Sequence, residues 1–158
     1  MPLAGTFTRS LDDKRRLAIP KRLLEEFGHS PDILAVESVK QSQKLTRLYV
    51  SPGFDHCLAL YSPSEFEELA RKIAQQSPNR VDVRNYVRLL YSRTEEVELD
   101  SQSRIRIPDR LLELAGLKGD VVLVGVRDHA ELWNPETWIA YLQEHAAGFD
   151  DLATLALT

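Results

Sequence analysis

An aspartate followed four residues later by an arginine occurs twice in the chain, at Asp12–Arg16 and at Asp100–Arg104. An aspartate at a strand end can accept hydrogen bonds from backbone N–H groups of the turn that follows. It can also hold the arginine, which removes rotamer freedom before a partner binds. Because the guanidinium fork suits both phosphates and guanine edges, the pair predicts either an anion-binding arginine or a strut that only stabilises the turn.

The first pair lies in a basic segment of an acidic chain. The net charge of all 158 residues is −4, yet residues 1–22 contain six basic and only two acidic side chains. This asymmetry is typical of a small DNA-contacting surface on an acidic body, although a solvated charged edge has the same composition. The candidate contacts here are Arg9, Lys14, Arg15, Arg16, Lys21 and Arg22.

The second pair has more acidic surroundings. Its turn reads Ser-Gln-Ser-Arg where the first reads Asp-Lys-Arg-Arg, and three glutamates precede it within residues 95–98. We expect Arg104 and Arg106 to contribute to the same kind of contact. We expect the first copy, however, to dominate binding to phosphate.

Both pairs belong to an internal repeat. Residues 11–28 and 99–116 share ten of eighteen positions, and similarity resumes downstream, where Gly53 matches Gly125 and Leu60 matches Leu132. The offset falls from 88 to 72, so the first copy carries sixteen extra residues. The polar segment 38–47 is where we expect them.

Each copy predicts the same order of elements. A short strand ends in Leu-Asp, a tight turn leads to a second short strand, and a proline opens a short helix that ends at glycine. A hairpin and a second helix follow, with Ser62 or Asn134 as the N-cap. A helix at about Val81–Tyr91 links the copies. This repeated order of elements predicts modules at 1–78 and 94–148, a linking helix within 79–93 and a C-terminal tail at 149–158.

The repeated pattern Leu-Asp-x-x-x-Arg-[Leu/Ile]-x-Ile-Pro, together with LYVSPGFDHCLALYSPSEFEELA and LKGDVVLVGVRDHAELWNPETW, resembles the MraZ family. The resemblance implies an α+β, mainly β fold: two tandem AbrB-like swapped-hairpin modules that form a pseudo-two-fold double-split β-barrel with flanking helices. It implies a cytoplasmic, nucleoid-associated transcriptional regulator that forms a ring-shaped homo-oligomer. The expected partner is double-stranded DNA with short direct repeats, upstream of a cell-division and cell-wall gene cluster that includes the regulator's own gene.

The chain departs from this family at one position of each motif. The residue before the motif arginine is usually glycine in the family, whereas Arg15 and Ser103 stand there in this chain. If that position requires a positive φ, a non-glycine residue costs about 1 kcal/mol or more. Arg15 could equally add a contact to phosphate.

Other function classes have less support in the sequence. We expect no enzyme activity, cofactor, small-molecule substrate or membrane span, because phosphate-binding loops, nucleophile elbows, metal-ligand spacing and long apolar runs are lacking. We interpret Cys57 as a buried hydrophobic residue, and His56 and His129 as solvated loop residues. The alternative is a protein-binding module of the AbrB-like antitoxin type, in which FDDLATLALT would be a flexible tail.

Overall fold

The computed structural model describes residues 2–28 and 45–158. Within them lie eight strands and six helices, together with a short 3-10 helix at Ala146–Gly148. The strands are β1 (Thr6–Ser10), β2 (Arg16–Ala18), β3 (Arg47–Pro52), β4 (Leu58–Tyr61), β5 (Glu95–Glu98), β6 (Arg104–Arg106), β7 (Asp120–Gly125) and β8 (Ala130–Trp133). The helices are α1 (Lys21–Phe27), α2 (Pro63–Ala74), α3 (Val81–Ser92), α4 (Asp109–Leu114), α5 (Pro135–His145) and α6 (Phe149–Leu157).

The helix starts follow the capping chemistry of the sequence. Ser62 Oγ accepts a hydrogen bond from the backbone N–H of Glu65 at 3.2 Å, and the Asn134 side chain accepts one from Glu136 at 2.8 Å. Both predicted N-caps are therefore confirmed. The prolines predicted to open the short helices are instead the N-caps of α1 and α4, so each helix begins one residue after Pro20 or Pro108. The linking helix is confirmed as α3.

Strands of the two copies are interleaved in one six-stranded antiparallel sheet, in the order β1-β7-β8-β4-β3-β5. The hairpins β3–β4 and β7–β8 meet at the centre through β4 and β8. The outer strands are exchanged, since β1 of the first copy pairs with β7 of the second and β5 pairs with β3. Neither copy could complete its sheet by itself.

The two short motif strands, β2 and β6, form a separate antiparallel ribbon. Leu17 faces Ile105 across it, and both side chains are fully buried. They pack in one apolar cluster with inward-facing residues of the large sheet, such as Leu48, Leu60 and Leu123. The main core therefore lies between the ribbon and the six-stranded sheet.

Helices cover the other face of the large sheet. Phe66 of α2 stacks on Tyr49 of β3 at 4.7 Å between ring centroids, and Trp138 of α5 contacts Trp133 of β8 at 5.1 Å. Tyr49 alternates with the core residue Leu48, so its side chain points away from the ribbon. The ribbon and these helices thus occupy opposite sides of the molecule.

The α+β class, the antiparallel strands and the repeat are confirmed, but the predicted barrel is wrong in one respect. Among the described residues, the large sheet ends at β1 and β5, and the ribbon is a second sheet, so the strands do not close into a barrel. The exchange of outer strands leaves the two layers facing each other as a sandwich over one core.

Two further predictions concern the ends of the copies. The segment 149–158, which we predicted as a C-terminal tail and which the antitoxin alternative treats as flexible, contains the helix α6, whose residues are almost all exposed. Most of the predicted insertion at 38–47 lies outside the described residues. No described helix is long and apolar enough to cross a membrane.

Candidate nucleic-acid interface

The turn after β1 is organised around the carboxylate of Asp12. Asp12 Oδ1 accepts the backbone N–H groups of Lys14 at 2.9 Å and of Arg16 at 2.8 Å. Backbone hydrogen bonds from Arg15 to the Asp12 carbonyl and from Asp12 to the Arg16 carbonyl close the turn. The equivalent bonds around Asp100 in the second copy have the same donors and similar lengths.

The second carboxylate oxygen of each aspartate holds the motif arginine. Arg16 Nε donates to Asp12 Oδ2 at 2.6 Å, and Arg104 Nε donates to Asp100 Oδ2 at 2.9 Å. The backbone N–H of Arg16 lowers the pKa of Asp12, with a further contribution from its side chain. The pKa of Asp100 is lowered in the same way by Arg104. Both carboxylates therefore stay ionised, and each arginine is fixed before any partner binds.

The residue before each motif arginine adopts a positive φ. The angle is 60° at Arg15 and 59° at Ser103, which is the left-handed region that favours glycine. This geometry is typical of a three-residue hairpin loop that ends in a left-handed residue. Both positions therefore meet the condition raised by the family's usual glycine, that the residue before the motif arginine has a positive φ.

The same two residues join the copies through their carbonyl groups. The Arg15 carbonyl accepts the N–H of Ile107, and the Ser103 carbonyl accepts the N–H of Ile19, each at 3.0 Å. The left-handed turn in one copy thus supplies a hydrogen bond to the strand of the other. The residue with the strained φ in each turn therefore also contributes to the pairing of the two copies.

The ribbon presents arginines on its outer face. Arg16 is opposite Arg106 and Ala18 is opposite Arg104 in the β2–β6 register. Because Leu17 and Ile105 point into the core, these four alternating residues point outward. Arg106 and Ala18 are exposed, whereas Arg16 and Arg104 are half-buried.

The remaining predicted contacts are distributed less evenly. Lys14 and Arg15 are exposed at the tip of the first turn, and Lys21 and Arg22 are exposed in the first turn of α1. Arg9 lies instead on β1 of the large sheet, where its guanidinium group donates to the Thr8 carbonyl and lies 5.7 Å from the Phe7 ring centroid. The ribbon therefore does not include Arg9.

Acidic neighbours that we did not predict contact this surface. Arg15 forms an exposed ion pair with Asp109 at 3.1 Å, and Arg104 Nη1 lies 3.9 Å from Asp12 Oδ2. Asp109 occupies the repeat position of Lys21, and its ion pair with Arg15 places the start of α4 next to the first copy's turn. Comparison of the two copies at this position was the signal that could have revealed it.

His129 is not the solvated loop residue that we expected. Its ring stacks on Tyr61 and contacts Asp128 at 2.7 Å and Glu131 at 3.4 Å. Burial alone would lower the pKa of His129, but hydrogen bonds to Glu131 and Asp128 outweigh it and raise the pKa. His56 is exposed and Cys57 is buried, as predicted. Within residues 2–28 and 45–158, no three His, Cys, Asp or Glu side chains are grouped as metal ligands.

Comparisons with known proteins agree with the repeat. Residues 3–89 and 90–158 each match the model of a family described as "MraZ protein, putative antitoxin-like". A relative from Mycoplasmoides gallisepticum is 38% identical over 96% of this chain and 93% of its own length. Relatives from Thermomicrobium roseum (36%, covering 90% and 89%) and Syntrophomonas wolfei (30%, covering 94% and 92%) are also similar. All three are named transcriptional regulator MraZ.

The positive φ angles predict the effect of restoring glycine. Arg15→Gly and Ser103→Gly should each raise the free energy of unfolding by about 0.5–1 kcal/mol, because glycine adopts this conformation without strain. The exposed Arg15–Asp109 pair contributes little that would offset the gain. The change in the free energy of unfolding is measured as the shift of the denaturant midpoint between variants that have the same m-value.

Lys14 and Gln102 provide matched controls, since they precede these residues and lie outside the left-handed region. Lys14→Gly and Gln102→Gly should lower the free energy of unfolding, because glycine increases the entropy of the unfolded chain there. Destabilisation by all four substitutions would contradict the strain at Arg15 and Ser103.

Proposed function

Because the chain belongs to the MraZ family, we propose that it is a transcriptional regulator that binds double-stranded DNA through the β2–β6 ribbon and its two turns. This is a non-enzymatic role that requires no cofactor. The observation that carries the proposal is the pair of aspartate-held arginines, Arg16 and Arg104, on an outward-facing ribbon. The exchange of outer strands between copies supports assignment to the swapped-hairpin fold of the AbrB-like type.

The shape of the ribbon suits the major groove of DNA, which admits a two-stranded β-ribbon. Arg16 uses Nε for Asp12, and its two terminal nitrogens have no hydrogen-bond partner among the described residues. Those nitrogens form a fork that can donate to the O6 and N7 atoms of guanine. We therefore assign base contacts to Arg16 and Arg106, with Arg104 beside them.

The basic residues around the ribbon suit a different task. Lys14, Arg15, Lys21 and Arg22 are exposed at the turn and at the start of α1, where they can reach the phosphates on either side of a groove. Such contacts set the position on DNA without reading its sequence. Arg9, on the large sheet, would contribute only a peripheral contact.

The DNA target and the assembly are also proposals. Following the family resemblance, we propose that a cytoplasmic, nucleoid-associated ring of identical subunits binds short direct repeats upstream of a cell-division and cell-wall gene cluster, including its own gene. The layering of the fold supports this arrangement. The ribbon lies opposite α2, α3 and α5, so subunits could associate through the helical side while every ribbon stays open to DNA.

A protein-binding module of the antitoxin type is the second candidate. The family description and the exposed helix α6 favour it. Native mass spectrometry and mobility-shift titration of the chain alone separate the two. A large assembly that shifts DNA without a partner supports the regulator, whereas a small assembly without DNA affinity supports the antitoxin-like module.

The acidic surroundings of Arg104 predict unequal roles for the two motif arginines. Arg104 lies near both Asp100 and Asp12, whereas the acidic side chain paired with Arg16 among the described residues is Asp12 alone. Arg16→Ala should therefore weaken DNA binding more than Arg104→Ala, as measured by fluorescence anisotropy across a salt series. Equal losses would contradict this asymmetry.

In the same titrations, Arg15→Gly should reduce the slope of log affinity against log salt concentration by about one, while Ser103→Gly should leave this slope unchanged.

A ring predicts that affinity depends on the number of repeats in the DNA. Each further repeat that meets a ribbon of the same assembly gains effective concentration, which can raise avidity about 10²–10⁴-fold. Titration of duplexes with one, two and three repeats measures the effect. A control duplex with the same repeats at altered spacing should bind like the single-repeat duplex. Equal affinity for all of these duplexes would rule out simultaneous engagement.

A further inference from the structure

The C-terminal helix α6 has an apolar side that the chain itself leaves uncovered. Phe149, Leu152 and Leu155 are 72%, 48% and 75% exposed. At 100° per residue, the alanines at 153 and 156 and the leucine at 157 lie on this same side. Asp150 and Asp151 lie at its two edges. Three large apolar side chains held in water on one short helix indicate an interaction surface.

A groove of matching character lies between α2 and α3. Its volume is about 400 Å³, and it is lined by apolar residues of both helices, including Ile73, Val83 and Val87. Arg84 and Arg88 of α3 also line it. Each of these helices has twelve residues and is about 18 Å long, whereas the nine residues of α6 span about 14 Å. The helices that border the groove are therefore long enough to lie alongside the whole of α6 while its apolar side enters the groove.

The charges of the two surfaces are complementary. Residues 71–93 contain six Lys or Arg and one acidic residue, whereas residues 128–158 contain six acidic residues and no Lys or Arg. Arg84 donates only to the carbonyls of Pro78 and Asn79, and Arg88 forms no ion pair within the described part of the chain. Both guanidinium groups are thus available for the carboxylates of an incoming helix.

We propose that α6 of one copy docks by its apolar side into the α2–α3 groove of a second copy, with Asp150 and Asp151 against Arg84 and Arg88. The two surfaces differ, so the contact is head-to-tail and leaves a free groove and a free helix at each end. Repeated contacts close into a ring when the rotation allows it. The proposal rests on the assembly proposed above and names its subunit contact.

Two variants with matched controls test the contact by sedimentation velocity. Leu152→Asp on α6 and Val87→Asp in the groove should each weaken association at least about thirty-fold, as expected for a central contact. Thr154→Asp and Asn85→Asp place the same charge on the opposite sides of the same helices and should leave the wild-type mass unchanged. Since both replaced apolar residues are exposed or half-buried, thermal unfolding should change little.

Mixing the two defective proteins tests whether the contact is head-to-tail. Leu152→Asp retains an intact groove, and Val87→Asp retains an intact α6, so the mixture should form a one-to-one dimer and nothing larger. If Val87→Asp fails to fold, Arg88→Glu replaces it, and Asp150→Lys with Asp151→Lys should restore its assembly. A monomeric wild type, a fully assembled Leu152→Asp protein or a mixture without dimer would overturn the proposal.

Binding to a single-repeat duplex separates this contact from the DNA-binding function. Leu152→Asp should bind that duplex as the wild-type subunit does, because α6 is absent from the ribbon. It should lose the avidity for tandem repeats. If the assembly depends on α6 and the groove but does not bind DNA, the proposed subunit contact is supported and the proposed DNA-binding function is rejected.

Discussion

The carboxylates of Asp12 and Asp100 are the groups on which the interface depends. Each accepts two backbone N–H groups of a turn and one guanidinium N–H, so it sets the shape of the turn and the direction of the arginine together. The turn places Arg15 or Ser103 in the left-handed region, and from there its carbonyl reaches the other copy. One short motif thereby links local geometry, pairing of the copies and presentation of the arginines.

Duplication explains why the chain folds as a single unit. Each copy carries a sheet that lacks an outer strand and half of a ribbon, and the other copy supplies both. The buried Leu17–Ile105 pair stands at the centre of this exchange. Once the copies share one core, their turns are free to diverge, which accounts for a basic first turn and a more neutral second one.

Features encoded by local chemistry were predictable from the sequence. The N-caps at Ser62 and Asn134 and the linking helix follow from neighbouring residues. The positive φ at Arg15 and Ser103 was raised only as a condition, by the family's usual glycine at these positions. Features that depend on contacts between distant segments of the chain were not predictable from the sequence. The Arg15–Asp109 pair joins the two copies, and the partners of His129 include Tyr61 on another strand. The open sheets likewise result from strand exchange, which periodicity alone does not specify.

Cross-linking to DNA at Ala18 tests the central claim most directly. Ala18 is exposed between arginines on the ribbon, whereas Ser64 is exposed on α2 across the large sheet. The native Cys57 is buried and should not compete. With a duplex that carries thiol-modified bases in the major groove, Ala18→Cys should form a disulfide with repeat bases and Ser64→Cys should not. Cross-linking through Ser64→Cys with none through Ala18→Cys would contradict the ribbon as the DNA-binding element.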